Sequence, residues 1–273
     1  MGPGDDDDDV VAHYEAVPDH DRITTGLGQL ELVRTQEVVR RHVGPPPLDI
    51  LDVGGGTGVH AAWLVADGHR VHLLDVSPRQ VTMARARSEA LGARLTAAVG
   101  DARRLDGSDA SVDVVLLLGP LYHLVEPGER RAALAEAFRV LRPGGLLAAA
   151  AVSRFASLFD GLARGYLFEA EFRAIVESDL ASGRHTNPSR REGWWTTAYF
   201  HRPDELRAEI VDAGFTVDEV VGLEGLAPWV PALAERWTDR AHRDAIVDAA
   251  RLVEHEPAVL GVSPHLLAIA HRP

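Results

Sequence analysis

Four glycines within five positions, Gly54, Gly55, Gly56 and Gly58, follow a short apolar run that ends in Asp52 and Val53. Glycine weakens strands and helices alike, so this cluster marks either a bare turn or a place where a ligand comes close to the backbone. A Gly-rich turn between a buried strand and a helix turns its N–H groups toward a bound ligand. Gly56-x-Gly58-x-x-Ala61 fits the dinucleotide pattern, and Asp75, 19 residues beyond Gly56, stands where an acid accepts ribose hydroxyls. On these two features alone NAD is a fair reading.

Further acids and bases follow. Asp101, in GDARRLD, falls just after a third apolar strand, where a carboxylate accepts from an adenine amino group. His123, in GPLYHL, follows a fourth, and imidazole is the side chain best suited to take a proton near neutral pH. Other chemistries have no residues to carry them. The chain has no cysteine and no lysine, which removes thiolate metal sites, cysteine nucleophiles, Schiff bases and the P-loop lysine. Its 13 histidines include no H-E-x-x-H and no G-x-S-x-G elbow is present, so neither a metal nor a serine nucleophile is expected.

The elements that must hold these residues alternate. LDILDV, RVHLLDV, RLTAAVG, VDVVLLLG and LLAAAAV read as buried strands. Between them, Val59, Ala62, Trp63 and Ala66 form one apolar helix face, and Leu134, Ala137, Phe138 and Leu141 another. Pro78 opens the second helix and Gly92 closes it. Alternation at this spacing predicts a parallel sheet with helices on both faces, whose ligands bind at the C-terminal strand ends. PDELRAEIVDAGF, FTVDEVVGL and PHLLAIAH add a helix and two more strands.

Asp52-Val-Gly54-x-Gly56-x-Gly58, GDARRLD, VDVVLLLGPLYHL and LAEAFRVLRPGG, in this order and spacing, resemble the class I S-adenosylmethionine-dependent methyltransferases, especially the small-molecule enzymes related to ubiquinone/menaquinone-biosynthesis methyltransferases. The resemblance is strong over about residues 48–150 and loose over 196–223. It implies a doubly wound α/β Rossmann-like fold with a seven-stranded sheet, order 3-2-1-4-5-7-6, strand 7 antiparallel. It also implies S-adenosylmethionine as cofactor and S-adenosylhomocysteine as product. Gly54, Gly55, Gly56 and Gly58 would bend around the methionine part, with Asp52 orienting the loop or approaching the cofactor's positive end. Asp75 with Val76 would take the ribose, and Asp101 with Ala102 the adenine. Gly119, Pro120 and His123 would line the methyl-donor side, and Tyr14 would fold over the cofactor from the N-terminal arm. Where the family usually has a tight hairpin, residues 224–263 are inserted, which leaves the last two strands open.

A sulfonium methyl is already activated, so the protein must mostly align the acceptor and take a proton where the acceptor is OH or NH. His123 is the first candidate base and His201 the second. Nine of the chain's 16 aromatics fall between 154 and 200. There the Phe residues suit packing, while Trp194, Trp195 and Tyr199, with Tyr122 and Arg154, are candidates for an apolar or aromatic acceptor. Arg22 and His185 are alternatives for holding an acidic group. Oxygen ranks first as the acceptor atom, ahead of nitrogen and carbon, and a natural-product substrate is expected.

In domain terms, residues 1–9 read as a disordered acidic tail and 10–47 as a helical arm over the cofactor. Residues 48–273 form the catalytic domain, with helical cap insertions at about 154–202 and 224–263. The formal charge of −13 disfavours nonspecific nucleic-acid binding, and the absence of an apolar run of membrane-spanning length leaves a cytoplasmic enzyme as the expectation. Two competing readings stay open: an NAD-dependent oxidoreductase, and a non-methylating member of the same fold.

Overall fold

The computed structural model describes residues 23–273. The acidic tail, Tyr14 and Arg22 lie outside the described residues. Helix α1 (Gly26–His42) precedes strand β1 (Asp49–Val53), whose Ile50, Leu51, Asp52 and Val53 are all buried. Burial on both faces is what a strand between two helical layers requires. Next come α2 (Val59–Ala66), β2 (Arg70–Asp75), α3 (Pro78–Leu91) and β3 (Leu95–Val99). At the start of α3, Ser77 caps the helix by accepting from the Gln80 amide, and Pro78 occupies its first turn. The second half of the sheet is built from β4 (Val112–Leu117), the one-turn helix α4 (Pro120–His123), α5 (Pro127–Val140) and β5 (Leu141–Ser153).

Strand β1 is central. Ile50 aligns with Val71 of β2 on one side and Val114 of β4 on the other, all parallel. Beyond β5 the chain forms α6 (Ala156–Arg164), α7 (Ala170–Ser182), β6 (Arg184–His185), β7 (Ala198–His201), α8 (Pro203–Asp212) and β8 (Thr216–Gly222). It ends with α9 (Leu233–Thr238), α10 (Arg240–Val253) and β9 (His265–His271). β9 runs antiparallel between β5 and β8, with Ala149 opposite Ala268 and Val221 opposite Leu267. The main sheet is therefore 3-2-1-4-5-9-8. This is the expected seven-stranded order, and the last two strands keep their places despite the 41-residue separation of Glu224 and His265.

Two readings of the sequence need correction. The buried face of α2 is Ala61, Leu64 and Val65 with Trp63, while Ala66 is exposed and Val59 turns toward a cavity. Besides α6 and α7, the stretch 154–202 contains β7, which pairs parallel with the end of β5, Phe200 opposite Val152. Val152 also pairs with His265 of β9, so β7 lies on the other edge, continuing the row that β4 vacates where it turns into α4. Finally, Trp194 does not face a ligand. It is fully buried with Phe172, Ile175 and Val176 in a small core of its own, its ring 5.0 Å from that of Phe172.

The residues after β8 pack differently. Ala227, Trp237, Ile246 and Val247 bury Leu30 of α1. Arg34, also fully buried, pairs with Glu37 and with Glu254 just beyond α10. The first helix is thus fastened by the last fifth of the chain. Among the described residues no helix is long and apolar enough to cross a membrane.

Candidate cofactor and acceptor site

A cavity of about 340 Å³ opens at the C-terminal ends of β1, β2 and β4, where an open parallel sheet binds its ligands. Its floor is the glycine loop. Gly54 and Gly55 both donate to the Leu74 carbonyl, at 2.7 and 3.2 Å, which ties the loop to β2. Gly54 has φ +67°, and a Cβ there would lie 2.8 Å from the Pro120 ring, so both the conformation and the closeness of α4 require glycine. Gly56, at φ +56°, has the opposite reason: a Cβ would meet nothing within 4 Å, because it would project into open space.

Three carboxylates border the cavity in different states. Asp75 accepts from the Gly56 amide at 2.8 Å and from the Ser77 amide at 2.9 Å, which fixes its orientation toward the loop. Asp52 is 1 % exposed, and its Oδ2 has no hydrogen-bond partner among the described residues. Burial first, and the neighbouring Asp75 charge second, push its carboxyl up to about 7. Burial alone would also raise Asp101, but hydrogen bonds from the Arg103 side chain and amide outweigh it and hold this carboxyl low. Arg103 in turn donates to Glu129 at 2.7 Å.

On the far side, α4 presents Pro120, Tyr122 and His123, with Leu124 just beyond it, and Ala150 of β5 and Leu223 after β8 close the wall. The rings of Tyr122 and His123 meet edge-on at 4.6 Å. Buried Arg130 holds the exit of α4 by donating to the Leu124 and Val125 carbonyls at 2.9 and 2.8 Å. Its guanidinium lies 3.7 Å above the Tyr199 ring, and Glu209 neutralises it. From α1, Glu31 and Thr35 reach the same cavity.

Residues 50–145 match the family model described as "Methyltransferase domain". Over these residues the chain is similar to class I S-adenosylmethionine-dependent methyltransferases. It is 34% identical over 125 residues to a ubiquinone biosynthesis O-methyltransferase of Methylocella silvestris, covering 44% of this chain and 47% of that one. A tRNA 5-carboxymethoxyuridine methyltransferase of Escherichia coli is 26% identical over 89% of this chain and 87% of its own. Among solved structures, an S-adenosylmethionine-dependent methyltransferase from Mesorhizobium loti shares the fold, with TM-score 0.58 and 18% identity over 89% of this chain and all of that one. The chain spans less than half the length of several of the curated relatives it matches.

The cofactor of such a domain is S-adenosylmethionine, and the residues present suit it. Gly56 leaves open space, Asp75 offers a carboxylate, and Asp52 offers a buried, unsatisfied oxygen to a cation. Of the residues expected to bind it, Asp52, Gly54, Gly55, Gly56, Asp75, Val76, Asp101, Ala102, Gly119 and His123 all line the cavity. Gly58 does not; it precedes α2 as its N-terminal cap residue.

The acceptor residues divide less well. Tyr122 lines the cavity, whereas Arg154, Trp194, Trp195, Tyr199, His185 and His201 do not. Arg154 is buried under β7, donating to Glu205 at 2.6 Å and to the Phe200 carbonyl at 2.7 Å. Trp195 and Phe200 pack edge to face at 5.2 Å. His185 is held by Asp179 and the Trp194 carbonyl. His201 is fully buried against Glu209, and burial lowers its imidazole pKa, Glu209 opposing. Sequence reasoning missed Glu31, Thr35, Gln80 and Arg103. Arg103 had a signal, two residues beyond Asp101; Glu31 is one polar residue on an ordinary amphipathic helix and had none.

Proposed function

We propose that this protein transfers the methyl group of S-adenosylmethionine to a hydroxyl oxygen of a small, apolar or aromatic molecule. One observation carries the reading. A single cavity joins the glycine loop and Asp75 at one end to Tyr122, His123, Ala150 and Leu223 at the other, so donor and acceptor share one enclosure. The Gly54–Gly56 loop would hold the methionine part, Asp75 the ribose and Asp101 with Ala102 the adenine. When bound, the cofactor supplies a methyl carbon already activated on a sulfonium. The chain's own task is alignment: Tyr122 and Leu223 bound the acceptor, and a ring nitrogen of His123 takes the hydroxyl proton as the oxygen attacks. Oxygen is favoured because the Methylocella relative is named as an O-methyltransferase.

A second reading follows from the Escherichia coli relative, which is named for tRNA. The net charge of −13 weighs against it, since phosphate recognition needs a basic face. Calorimetric titration with S-adenosylmethionine, S-adenosylhomocysteine and NAD tests the cofactor. Both adenosyl ligands bind, NAD does not, and Asp75→Ala and Asp101→Ala each weaken binding about tenfold. Binding of NAD alone would sink the reading. Incubation with small phenols and alcohols, and separately with total tRNA, then tests the acceptor: release of S-adenosylhomocysteine with methylated tRNA only would refute the small-molecule assignment.

A further inference from the structure

Beyond the glycine loop, at the β5, β8 and β9 end of the same cavity, three ligating side chains from distant parts of the chain converge. Glu31 comes from α1, Glu224 from the residue after Leu223, and His265 from the first position of β9. One ligand atom from each lies within 4.8 Å of the others. His265 Nδ1 is 2.5 Å from Glu224 Oε1 and 3.6 Å from Glu31 Oε2. Glu224 is fully buried and Glu31 is 8 % exposed, and Glu31 also lines the cavity. Two carboxylate oxygens and an imidazole nitrogen converging this closely make a ligand set that a single cation can share.

The surroundings are built to orient the set. The Ser263 hydroxyl and the His265 amide both donate to Glu224 Oε2, at 2.7 and 3.1 Å, which turns Oε1 toward His265 and Glu31. Ser263 is itself fixed by the Glu224 amide, which donates to its oxygen at 2.9 Å. Hydrogen bonds of this kind, on the oxygen not facing the cluster, are how metal-ligating carboxylates are held.

We propose that Glu31, Glu224 and His265 form a binding site for one divalent first-row transition-metal ion. One imidazole nitrogen and two carboxylate oxygens suit Mn²⁺, Fe²⁺ or Zn²⁺, whereas Mg²⁺ prefers an all-oxygen shell. Three protein ligands leave coordination positions open, and the Glu31 side of the site faces the cavity. An oxygen of the acceptor fits there: bound to the ion, its hydroxyl is more acidic, which eases transfer of its proton to His123. This role rests on the proposed methyl transfer; the binding of the ion does not.

The test uses the full chain, stripped with a chelator and titrated with MnCl₂, free Mn²⁺ being read by electron paramagnetic resonance. One Mn²⁺ binds per chain, and Glu224→Gln and His265→Gln each weaken it by at least about tenfold. A parallel titration with S-adenosylhomocysteine reports that each variant is folded. If Glu224→Gln loses that binding too, His265→Gln and Glu31→Gln decide the matter. Failure of the wild type to bind either Mn²⁺ or Zn²⁺ stoichiometrically, or unchanged affinity in the folded variants, overturns the site. Failure of S-adenosylhomocysteine to bind the wild type refutes the proposed function and leaves the Mn²⁺ result standing.

Discussion

Asp52 offers a measurable consequence of burial. In the folded chain its carboxyl is held at about 7 against an ordinary 3.8, because burial and the Asp75 charge both disfavour the ionised form. Between those values the folded protein keeps a proton that the unfolded chain has released. Wild-type stability therefore falls as pH rises through this window and levels off above about 7. Each pH step of one is worth about 1.4 kcal/mol, so the full window corresponds to about 4 kcal/mol. From pH 5.5 to pH 8 the loss is about 2 kcal/mol. Asp52→Asn keeps the shape and removes the titration, and every other ionisable group is common to both proteins. Urea unfolding of ligand-free wild type and Asp52→Asn at the two pH values isolates the effect. The variant is expected to gain about 2 kcal/mol relative to wild type on going to pH 8. An unchanged difference would refute the claim that Asp52 is protonated in the free fold. The same proton predicts release on cofactor binding at pH 6, as a sulfonium entering the cavity favours the carboxylate, and calorimetry in two buffers of different ionisation enthalpy counts it.

Three further outcomes are expected. Gly56→Ala costs about 1 kcal/mol of stability through its positive φ, yet weakens S-adenosylhomocysteine binding out of proportion, since its new methyl enters the cavity; equal losses in both would refute the cradle. His123→Gln lowers kcat about 100-fold and removes the acidic limb of the pH–rate profile, leaving cofactor affinity within a few-fold, measured by S-adenosylhomocysteine release. Trp194→Ala destabilises the protein by about 3–5 kcal/mol in urea while leaving cofactor affinity intact, because it empties a core that does not touch the cavity.

The cofactor half of the site was legible because its chemistry is local in sequence. Asp52 to Gly56 is one unbroken stretch, the end of β1 and the turn after it, and Asp75, Asp101 and Gly119 each sit at or just past a strand end that hydrophobic patterning already locates. Periodicity could not tell which side of α2 faces the sheet, since Val59 and Ala66 are as apolar as Ala61 and Leu64. The acceptor half was less legible, for a geometric reason. Aromatic richness near residue 195 marks a buried cluster as readily as a binding wall, and in Trp194 it marks the former. Glu31, Glu224 and His265 lie on three separate elements, so no spacing rule brings them together; the pairing of β9 with β8 and the packing of α1 against β9 do.

The fastening of α1 by the end of the chain bears on how the protein is made. Leu30 rests on Trp237, Ile246 and Val247, and Arg34 bonds a carboxylate 220 residues away. As the chain leaves the ribosome, the glycine loop and β1 to β5 emerge and collapse long before those partners exist. The wall carrying Glu31 and Thr35 can seat itself only after α10 has been made. Until then the nascent cavity stands open on one side, and a chain stopped short of α10 keeps its cofactor motif but lacks the support for that wall.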